Sequence, residues 1–177
     1  MITSIEPLGK HDRRAFSSGV ATLDDWFHLR AGQDEKRNVA RVFVAIDDRL
    51  GVVGFYSLST FTLTIIDLPT EHAKRLPRYD LIPAALIGRL ARDQRVRGQG
   101  VGDLLLADAV RRILSAASTL AVFAIVVEAK DEQAAAFYGD FGFLPFPDRP
   151  LRLFIPVADA MEAMLRAQSG QMSGDKN

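Results

Sequence analysis

The sequence contains no cysteine, so disulfide bonds, thiolate nucleophiles and cysteine-based zinc sites are excluded. Histidine is also scarce, and the three histidines, His11, His28 and His72, lie far apart in the chain, which argues against a metal site. No apolar run reaches the roughly 20 residues that span a bilayer, and the residues after Met1 do not form a signal peptide. These absences predict a cytoplasmic protein with no metal and no membrane segment.

An excess of charge of one sign is absent as well, because 22 Lys and Arg residues balance 22 Asp and Glu residues. A typical nucleic-acid-binding domain is basic as a whole, and this chain is not. Its basic residues nevertheless cluster locally. The clusters are Lys10, Arg13 and Arg14; Lys36, Arg37 and Arg41; Lys74, Arg75 and Arg78; and Arg89, Arg92, Arg95 and Arg97. Each cluster suits contacts to phosphate, or alternatively belongs to a solvated surface with ion pairs.

The composition is that of a globular protein, with 48% hydrophobic and 25% charged residues in 177 positions. That length provides one well-filled core, and no linker or internal repeat interrupts the chain. We therefore expect a single domain over residues 1–167. The polar stretch QSGQMSGDKN, residues 168–177, has the composition of a disordered tail.

Strand and helix patterns alternate along the chain and predict an α/β fold. The apolar stretches 39–46 and 52–65 flank the turn DDRLG and predict a β-hairpin. Before them, residues 22–37 show helical periodicity, with Thr22 as the predicted N-cap. Phe16, just upstream, is predicted to pack into the same core.

The second half of the chain continues the alternation. We predict a central strand over 84–92, a helix over 101–117, a strand over 120–129, a helix over 132–141 capped by Asp131, a strand over 151–157 and a helix over 159–167. The apolar run 84–92 also fits a helix, but its short length and flanking turns favour a strand.

Three glycines, Gly98, Gly100 and Gly102, lie at alternate positions between the predicted central strand and the next helix. This pattern indicates a backbone with positive φ or a close approach to a ligand. A glycine-rich turn that opens a helix suits phosphate, because the first helix amides lack internal partners and carry the positive end of the helix dipole. A tight turn with no ligand is the alternative.

Two common phosphate-binding motifs do not match this turn. A P-loop requires Lys followed by Ser or Thr after its last glycine, whereas Asp103 and Leu104 follow Gly102. A Rossmann fingerprint requires Gly or Ala two positions beyond Val101, and Asp103 stands there. The turn therefore belongs to neither class.

The stretch from Arg97 to Gly102, RGQGVG, resembles the Q/R-x-x-G-x-G/A signature of the GNAT acetyltransferases. GRLARDQRVRGQGVGDLLLADAV resembles the family's fourth strand, pyrophosphate loop and third helix, and AFYGDFGF resembles its tail motif, in which a tyrosine lies beside the cofactor thiol. The resemblance implies a GNAT fold: an α/β fold whose mixed central sheet splays between strands 4 and 5 and is flanked by helices. It also implies acetyl-CoA as the acetyl donor.

Within that family the chain is similar to the tRNA-acetylating toxins of toxin-antitoxin pairs. The segments FSSGVATLDDWF, GFYSLS, IGRLARD and AKDEQAAAFYGDFGF carry this similarity. It implies acetylation of the α-amino group of aminoacyl-tRNA, which stops translation, with a ribbon-helix-helix antitoxin as partner and a homodimer as the common oligomer. The alternatives are an acetyltransferase for another amine, on a protein or a small molecule, and a non-catalytic CoA-binding module.

The resemblance also implies roles for individual residues. It places Leu90, Ala91 and Arg92 beside the pantetheine and thioester. The backbone of the loop would hold the pyrophosphate, and the loop comprises Arg97, Gly98, Gln99, Gly100, Val101, Gly102 and Asp103. Tyr138 would donate a proton to the departing thiolate, since a phenol with a reference pKa of about 10 is protonated at neutral pH.

Other side chains keep two interpretations. Tyr138 has apolar neighbours at helical spacing and is alternatively a core residue. Glu128 is either a base that acts through water or a solvent-facing charge at the end of a strand. Arg89 and Arg92 face opposite sides of one strand unless the strand bulges, so one is expected to contact phosphate while the other is structural. Trp26 is a core anchor, the interpretation we favour, or a contact to an antitoxin.

Overall fold

The computed structural model describes residues 1–77 and 80–174 and shows an α/β fold with a mixed seven-stranded sheet. Within these residues the strands are β1 (Ile2–Pro7), β2 (Arg41–Asp47), β3 (Gly51–Thr64), β4 (Leu81–Arg92), β5 (Ala124–Glu128), β6 (Leu144–Phe146) and β7 (Arg149–Pro156). The α-helices are α1 (Ala21–Leu29), α2 (Ala31–Lys36), α3 (Thr70–Ala73), α4 (Val101–Ala116), α5 (Glu132–Phe141) and α6 (Val157–Gly174). The chain divides into two compact units, 1–59 with 87–109, and 60–86 with residues from 110 onward.

The strands of the first unit lie in the order β1-β2-β3-β4, and the first three pair antiparallel. β2 and β3 form the predicted hairpin, with Asp47 opposite Gly51 at its turn. β1, which the sequence patterns did not predict, places Ile5 opposite Ala45 of β2. The hairpin prediction is therefore confirmed, and the sheet has one more edge strand than expected.

The core of the first unit is aromatic. Phe27 stacks on Phe55 with 4.1 Å between ring centroids, and Phe16 meets both rings edge-on. Trp26 is 4% exposed and belongs to the same cluster. Stacked and edge-on pairs add to the free energy gained from burying these large side chains. The predictions that Phe16 packs into the core and that Trp26 is a core anchor are confirmed.

The helix predicted over 22–37 is in fact two helices, α1 and α2, which meet at Arg30. The backbone of Arg30, with φ −121° and ψ −28°, is not helical. Across this break the Trp26 indole N–H donates to Asp34 at 2.9 Å. The single-helix prediction was wrong because this contact and the burial of Ala31 favour a bend that periodicity alone does not show.

The predicted N-cap of this helix was also wrong. Thr22 lies inside α1, and the N-cap is Val20, which makes no side-chain cap. The carboxylate of Asp24 reaches back instead and accepts hydrogen bonds from Ser18 N at 2.9 Å, Ser18 Oγ at 2.6 Å and Ser17 Oγ at 3.2 Å. Asp24 thus fixes the segment that enters the helix, and a threonine cap has no role there.

In the second unit β7 pairs antiparallel with β5 on one side and β6 on the other. Its core contains Leu63, Ile82, Val126, Phe146 and Phe154. α5 begins as predicted, because the Asp131 carboxylate accepts a hydrogen bond from Ala134 N at 2.8 Å. Such a cap satisfies one of the amides that lack a partner at the start of a helix.

Several boundaries in the second unit differ from the predictions. β5 is shorter than the strand predicted over 120–129, since Leu120 is 70% exposed and precedes the strand. β6, only three residues long, was not predicted. The last helix begins at Val157 and continues to Gly174, through residues that were assigned to the tail. Residues 175–177, and Arg78 of one basic cluster, lie outside the described residues.

Two absences hold for the ranges 1–77 and 80–174. No helix in them is both long and apolar enough to cross a membrane. They also contain no group of three or more His, Cys, Asp or Glu side chains arranged to hold a metal ion.

Candidate active site

The glycine loop connects the end of β4 to the start of α4. Gly98 and Gly100 have φ of +76° and +74°, and a Cβ added at either position would meet no atom within 4 Å. Glycine is therefore required by the backbone conformation and not by crowding, since L-residues rarely adopt positive φ. The prediction of positive φ is confirmed for these two glycines. Gly102, the second residue of α4, does not share this conformation.

The first turn of α4 begins directly at the loop. Leu104 N donates to Gly100 O at 3.1 Å, so the helical hydrogen bonds start at Gly100. The amides that precede Leu104 in the first turn lie where helices leave their donors unpaired, at the positive end of the dipole. Val101 is 2% exposed and anchors the turn in the core, whereas Arg97 and Gln99 are exposed.

The β4 residues assigned to the pantetheine lie just before this loop. Ala91 is 6% exposed, and Leu90 and Arg92 are half-buried. Arg89 N donates to the hydroxyl of the buried Ser57 at 3.1 Å. The residues from Leu90 to Asp103 form one continuous stretch within the first unit.

Close packing behind β4 depends on Gly54 of β3. A Cβ at Gly54 would lie 2.8 Å from Leu105 Cδ1 and 3.4 Å from the carbonyl oxygen of Ala91. A larger residue would therefore displace the Leu105 side chain of α4, while its contact with Ala91 of β4 would be an ordinary van der Waals contact. Sequence reasoning did not single out Gly54, although an isolated glycine inside a strand is a recognised sign of close backbone approach.

The Arg89 guanidinium lies over an aromatic ring. Its guanidinium carbon lies 4.1 Å from the centroid of the Trp26 ring, within the range of a cation–π contact. Burial lowers the pKa of the Arg89 guanidinium, and the nearby charges of Asp34 and Arg30 act on it in opposite directions. A cation fixed in this way keeps its N–H donors available for an anionic ligand.

Tyr138 lies in the second unit, on α5. It is 5% exposed, and its ring makes edge contacts to Phe137 and Phe143, with centroids 5.2 Å and 5.7 Å away. Burial raises the pKa of Tyr138 to about 12, because desolvation destabilises the charged phenolate. The side chain is thus both a core residue and a phenol that stays protonated at neutral pH.

Glu128 is the last residue of β5 and forms an ion pair. Its Oε1 accepts hydrogen bonds from Arg152 Nε at 2.8 Å and from Arg152 Nη2. The Arg152 guanidinium also lies 5.1 Å from the centroid of the Phe61 ring. Glu128 is therefore a strand-end charge with a defined partner, in the second unit together with Tyr138.

A model of the Acetyltransferase (GNAT) domain matches residues 38–145, which include the glycine loop, Glu128 and Tyr138. The chain belongs to the GNAT acetyltransferase family. This GNAT chain is 36% identical to the probable toxin TacT of Sinorhizobium fredii, over 90% of this chain and 94% of that protein. It is 38% identical to a tRNA-acetylating toxin of Mycobacterium tuberculosis, over 84% of this chain and 88% of that protein.

Solved structures of GNAT toxins share the whole fold. A tyrosine-to-phenylalanine variant of KacT matches with a TM-score of 0.85 and 26% identity, over 92% of this chain and 99% of KacT. AtaT in complex with acetyl-methionyl-tRNA matches with a TM-score of 0.81 and 28% identity, over 88% and 95% of the two chains. AtaTR bound with acetyl-CoA matches with a TM-score of 0.77 and 27% identity, over 89% and 95%.

Proposed function

We propose that this GNAT chain is a toxin that transfers the acetyl group of acetyl-CoA to the α-amino group of aminoacyl-tRNA. The supporting observation is that its fold matches AtaT, which is known in complex with acetyl-methionyl-tRNA, across nearly the full length of both chains. N-acetylation removes the nucleophile needed for peptide-bond formation. A small chemical change on the charged tRNA therefore blocks translation.

The glycine loop fits the pyrophosphate of acetyl-CoA. Gly98 and Gly100 leave open space where side chains would otherwise project. The first amides of α4 precede the first helical hydrogen bond, from Leu104 N to Gly100 O, and such amides suit phosphate oxygens. Arg97 adds an exposed cation at the beginning of the loop. Leu90 and Ala91 of β4 are proposed to pair with the pantetheine through their main-chain groups, and Arg92 to lie beside them.

Acetyl transfer requires a neutral amine and a proton for the leaving group. The amine nitrogen attacks the thioester carbonyl; a C–N bond forms, the C–S bond breaks, and the amine loses a proton. An α-amino group has a reference pKa of about 7.7 to 8.0, so part of the acceptor is already neutral at cellular pH. We propose that the Tyr138 hydroxyl protonates the departing thiolate and regains its proton from solvent. A base role for Glu128 through water stays a prediction.

Arg89 is the proposed contact to a phosphate of the acceptor. The Trp26 ring holds its guanidinium in place, and the charges of Asp34 and Arg30 lie near it and act on it in opposite directions. A guanidinium positioned by an aromatic ring can offer two parallel N–H donors to a phosphodiester. Of the two arginines that sequence reasoning left open, Arg89 takes the phosphate role in this proposal.

The Arg89→Gln variant is expected to raise KM for aminoacyl-tRNA by about tenfold, the loss of one charge-assisted hydrogen-bonded contact. The affinity for CoA should stay unchanged. The plot of log affinity for tRNA against log salt concentration should become less steep by about one unit, because one phosphate contact is lost. Initial rates at varied tRNA concentration and salt measure both effects.

The matched control is Arg14→Gln, which removes an exposed arginine paired with Asp12 at 2.7 Å. This variant should leave the KM for aminoacyl-tRNA and the affinity for CoA unchanged. An equal rise in KM in the two variants would show a general effect of net charge and would remove Arg89 from the phosphate role.

An antitoxin is the proposed protein partner, since a structure similar to this chain shows AtaT bound to the C-terminus of its antitoxin AtaR, with a TM-score of 0.76 and 25% identity. We propose a partner of the ribbon-helix-helix class, a homodimeric toxin and a cytoplasmic location. Sedimentation of the purified chain alone measures whether it is a dimer. Sedimentation after co-expression with a small protein encoded by an adjacent gene measures whether the two form a complex.

The function is tested by incubating the protein with radiolabelled acetyl-CoA and a pool of charged tRNA. Label in the aminoacyl-tRNA fraction that is lost on mild alkaline hydrolysis of the aminoacyl ester supports the proposal. Label that appears only on protein or small-molecule amines would establish a different acceptor. CoA binding without any transfer would establish a non-catalytic module.

A further inference from the structure

Asp93 is a deeply buried carboxylate at the junction between β4 and the glycine loop, with only 1% of its surface exposed. Its Oδ1 accepts hydrogen bonds from Arg95 N at 2.8 Å and from Arg95 Nε at 2.9 Å. Its Oδ2 accepts hydrogen bonds from Arg95 Nη2 at 2.9 Å and from Ser17 N at 3.1 Å. These donors fill the lone pairs that an ionised carboxylate offers.

Backbone hydrogen bonds hold the same junction on two sides. Asp93 N donates to Val53 O of β3 at 2.8 Å, and Gln94 N donates to Ser17 O at 2.9 Å. The residues that lead into the glycine loop are thus attached to β3 and to the segment before α1. The three-residue turn that follows, Gln94–Val96, is capped by the Asp93 side chain itself.

The charge of Asp93 is necessary for this arrangement. Burial by itself would raise the pKa of Asp93, but the hydrogen bonds from Arg95 and Ser17 outweigh it and hold the pKa below its ordinary value. Asp93 is therefore an anion at neutral pH. Asparagine would have the same size but would present one oxygen and one NH₂ group to a set of donors, so part of the network would be broken.

We infer that Asp93 is a positioning residue that holds the glycine loop in the conformation that binds the pyrophosphate of acetyl-CoA, an inference that rests on the proposed function. Glycine can adopt many backbone conformations besides the positive φ seen at Gly98 and Gly100. The loop therefore needs contacts with other residues to keep a single conformation. Loop amides bind an anion most strongly when they are ordered beforehand, because the cost of ordering is then not subtracted from the binding free energy.

The test measures CoA binding to the Asp93→Asn protein by calorimetry, together with steady-state kinetics. We expect the Kd for CoA and the KM for acetyl-CoA to rise about tenfold, a change of the size produced by losing one charge-assisted network contact. The kcat at saturating acetyl-CoA should change by less than about threefold, since Asp93 acts through the loop and not on the reacting atoms.

Asp24→Asn is the matched control. Asp24 accepts hydrogen bonds from Ser17 and Ser18, before α1, whereas Asp93 also accepts from Arg95, two positions before the loop begins. The Asp24→Asn substitution should leave the Kd for CoA unchanged. If Asp24→Asn weakens CoA binding as much as Asp93→Asn does, the effect is a general loosening near α1 and the inference is overturned.

A second variant covers the case in which Asp93→Asn fails to fold. The Arg95 side chain is 36% exposed, so Arg95→Lys should preserve the fold, because a cation stays beside Asp93, while it loses the paired Nε and Nη2 hydrogen bonds of the guanidinium. It is expected to weaken CoA binding as well, and unchanged CoA affinity in this folded variant would overturn the inference. The binding assay contains no acceptor, so a failure of the wild-type protein to acetylate aminoacyl-tRNA would overturn the proposed function without affecting this result.

Discussion

Replacing Tyr138 by phenylalanine is expected to lower kcat by about 100-fold or more while the Kd for CoA stays unchanged, because the general acid is lost and the aromatic packing is kept. The ring contacts to Phe137 and Phe143 do not involve the hydroxyl, so the variant should fold normally. Rates with saturating acetyl-CoA and calorimetric titration with CoA separate the two quantities. A wild-type kcat in this variant would remove Tyr138 from the acid role.

The matched control is Tyr56→Phe, the same chemical change at another buried tyrosine. Tyr56 is fully buried, and its hydroxyl donates to Asp108. This variant should lose about 1 to 2 kcal/mol of unfolding free energy, because the carboxylate loses a buried donor. Its kcat should remain near that of the wild type, which would show that removing a buried phenol does not by itself abolish turnover.

The pKa of Tyr138 also predicts the shape of the pH profile. Burial raises this pKa to about 12, so the phenol stays protonated throughout the physiological range and does not impose an alkaline decline there. The rate should instead rise with pH through the titration of the acceptor, near pH 7.7 to 8.0 for an α-amine. A fall in kcat at a pKa near 10 would indicate that Tyr138 is not buried in the working enzyme.

The second large effect is expected from Gly100→Asp, which should weaken CoA binding by about 100-fold or more. A side chain at φ +74° strains the loop, and a carboxylate beside the pyrophosphate repels it. Calorimetric titration with CoA measures the loss directly. An unchanged Kd would show that the pyrophosphate lies elsewhere.

Gly51→Asp provides a close control for this variant. Gly51 also has φ +74°, and a Cβ there would also meet no atom within 4 Å. The two variants therefore carry the same added charge and a similar backbone strain, about 1 to 2 kcal/mol. Both should lower the unfolding free energy to a similar extent, whereas only Gly100→Asp should lose CoA. A comparable loss of CoA affinity in Gly51→Asp would contradict the assignment of the loop.

Elements determined by local sequence could be predicted well. The β2–β3 hairpin follows from two apolar stretches around a short turn, and the start of α5 follows from Asp131, whose capping contact spans three positions. The positive φ of Gly98 and Gly100 was likewise predictable, because few other residues tolerate that conformation. In each case the information lies within a few positions of the chain.

The features that could not be predicted depend on contacts between distant positions. The hydrogen bond from Ser17 to Asp93 joins residues 76 positions apart, and the contact of Arg89 with Trp26 is similarly remote in sequence. Neither the spacing of residues nor the composition of the sequence indicates which distant residues will form such pairs. For the same reason the break at Arg30 and the edge strand β1 were missed, and the role assigned to Tyr138 came from family resemblance.

The contact between Arg89 and Trp26 gives the protein a built-in optical reporter. Trp26 is the only tryptophan in the sequence, and the guanidinium lies 4.1 Å from its ring centroid. An anion that binds the Arg89 guanidinium would change the electric field across the indole and therefore its fluorescence emission. Titration with unlabelled RNA can then follow events at this one arginine in real time, with Arg89→Gln as the variant in which the signal should disappear.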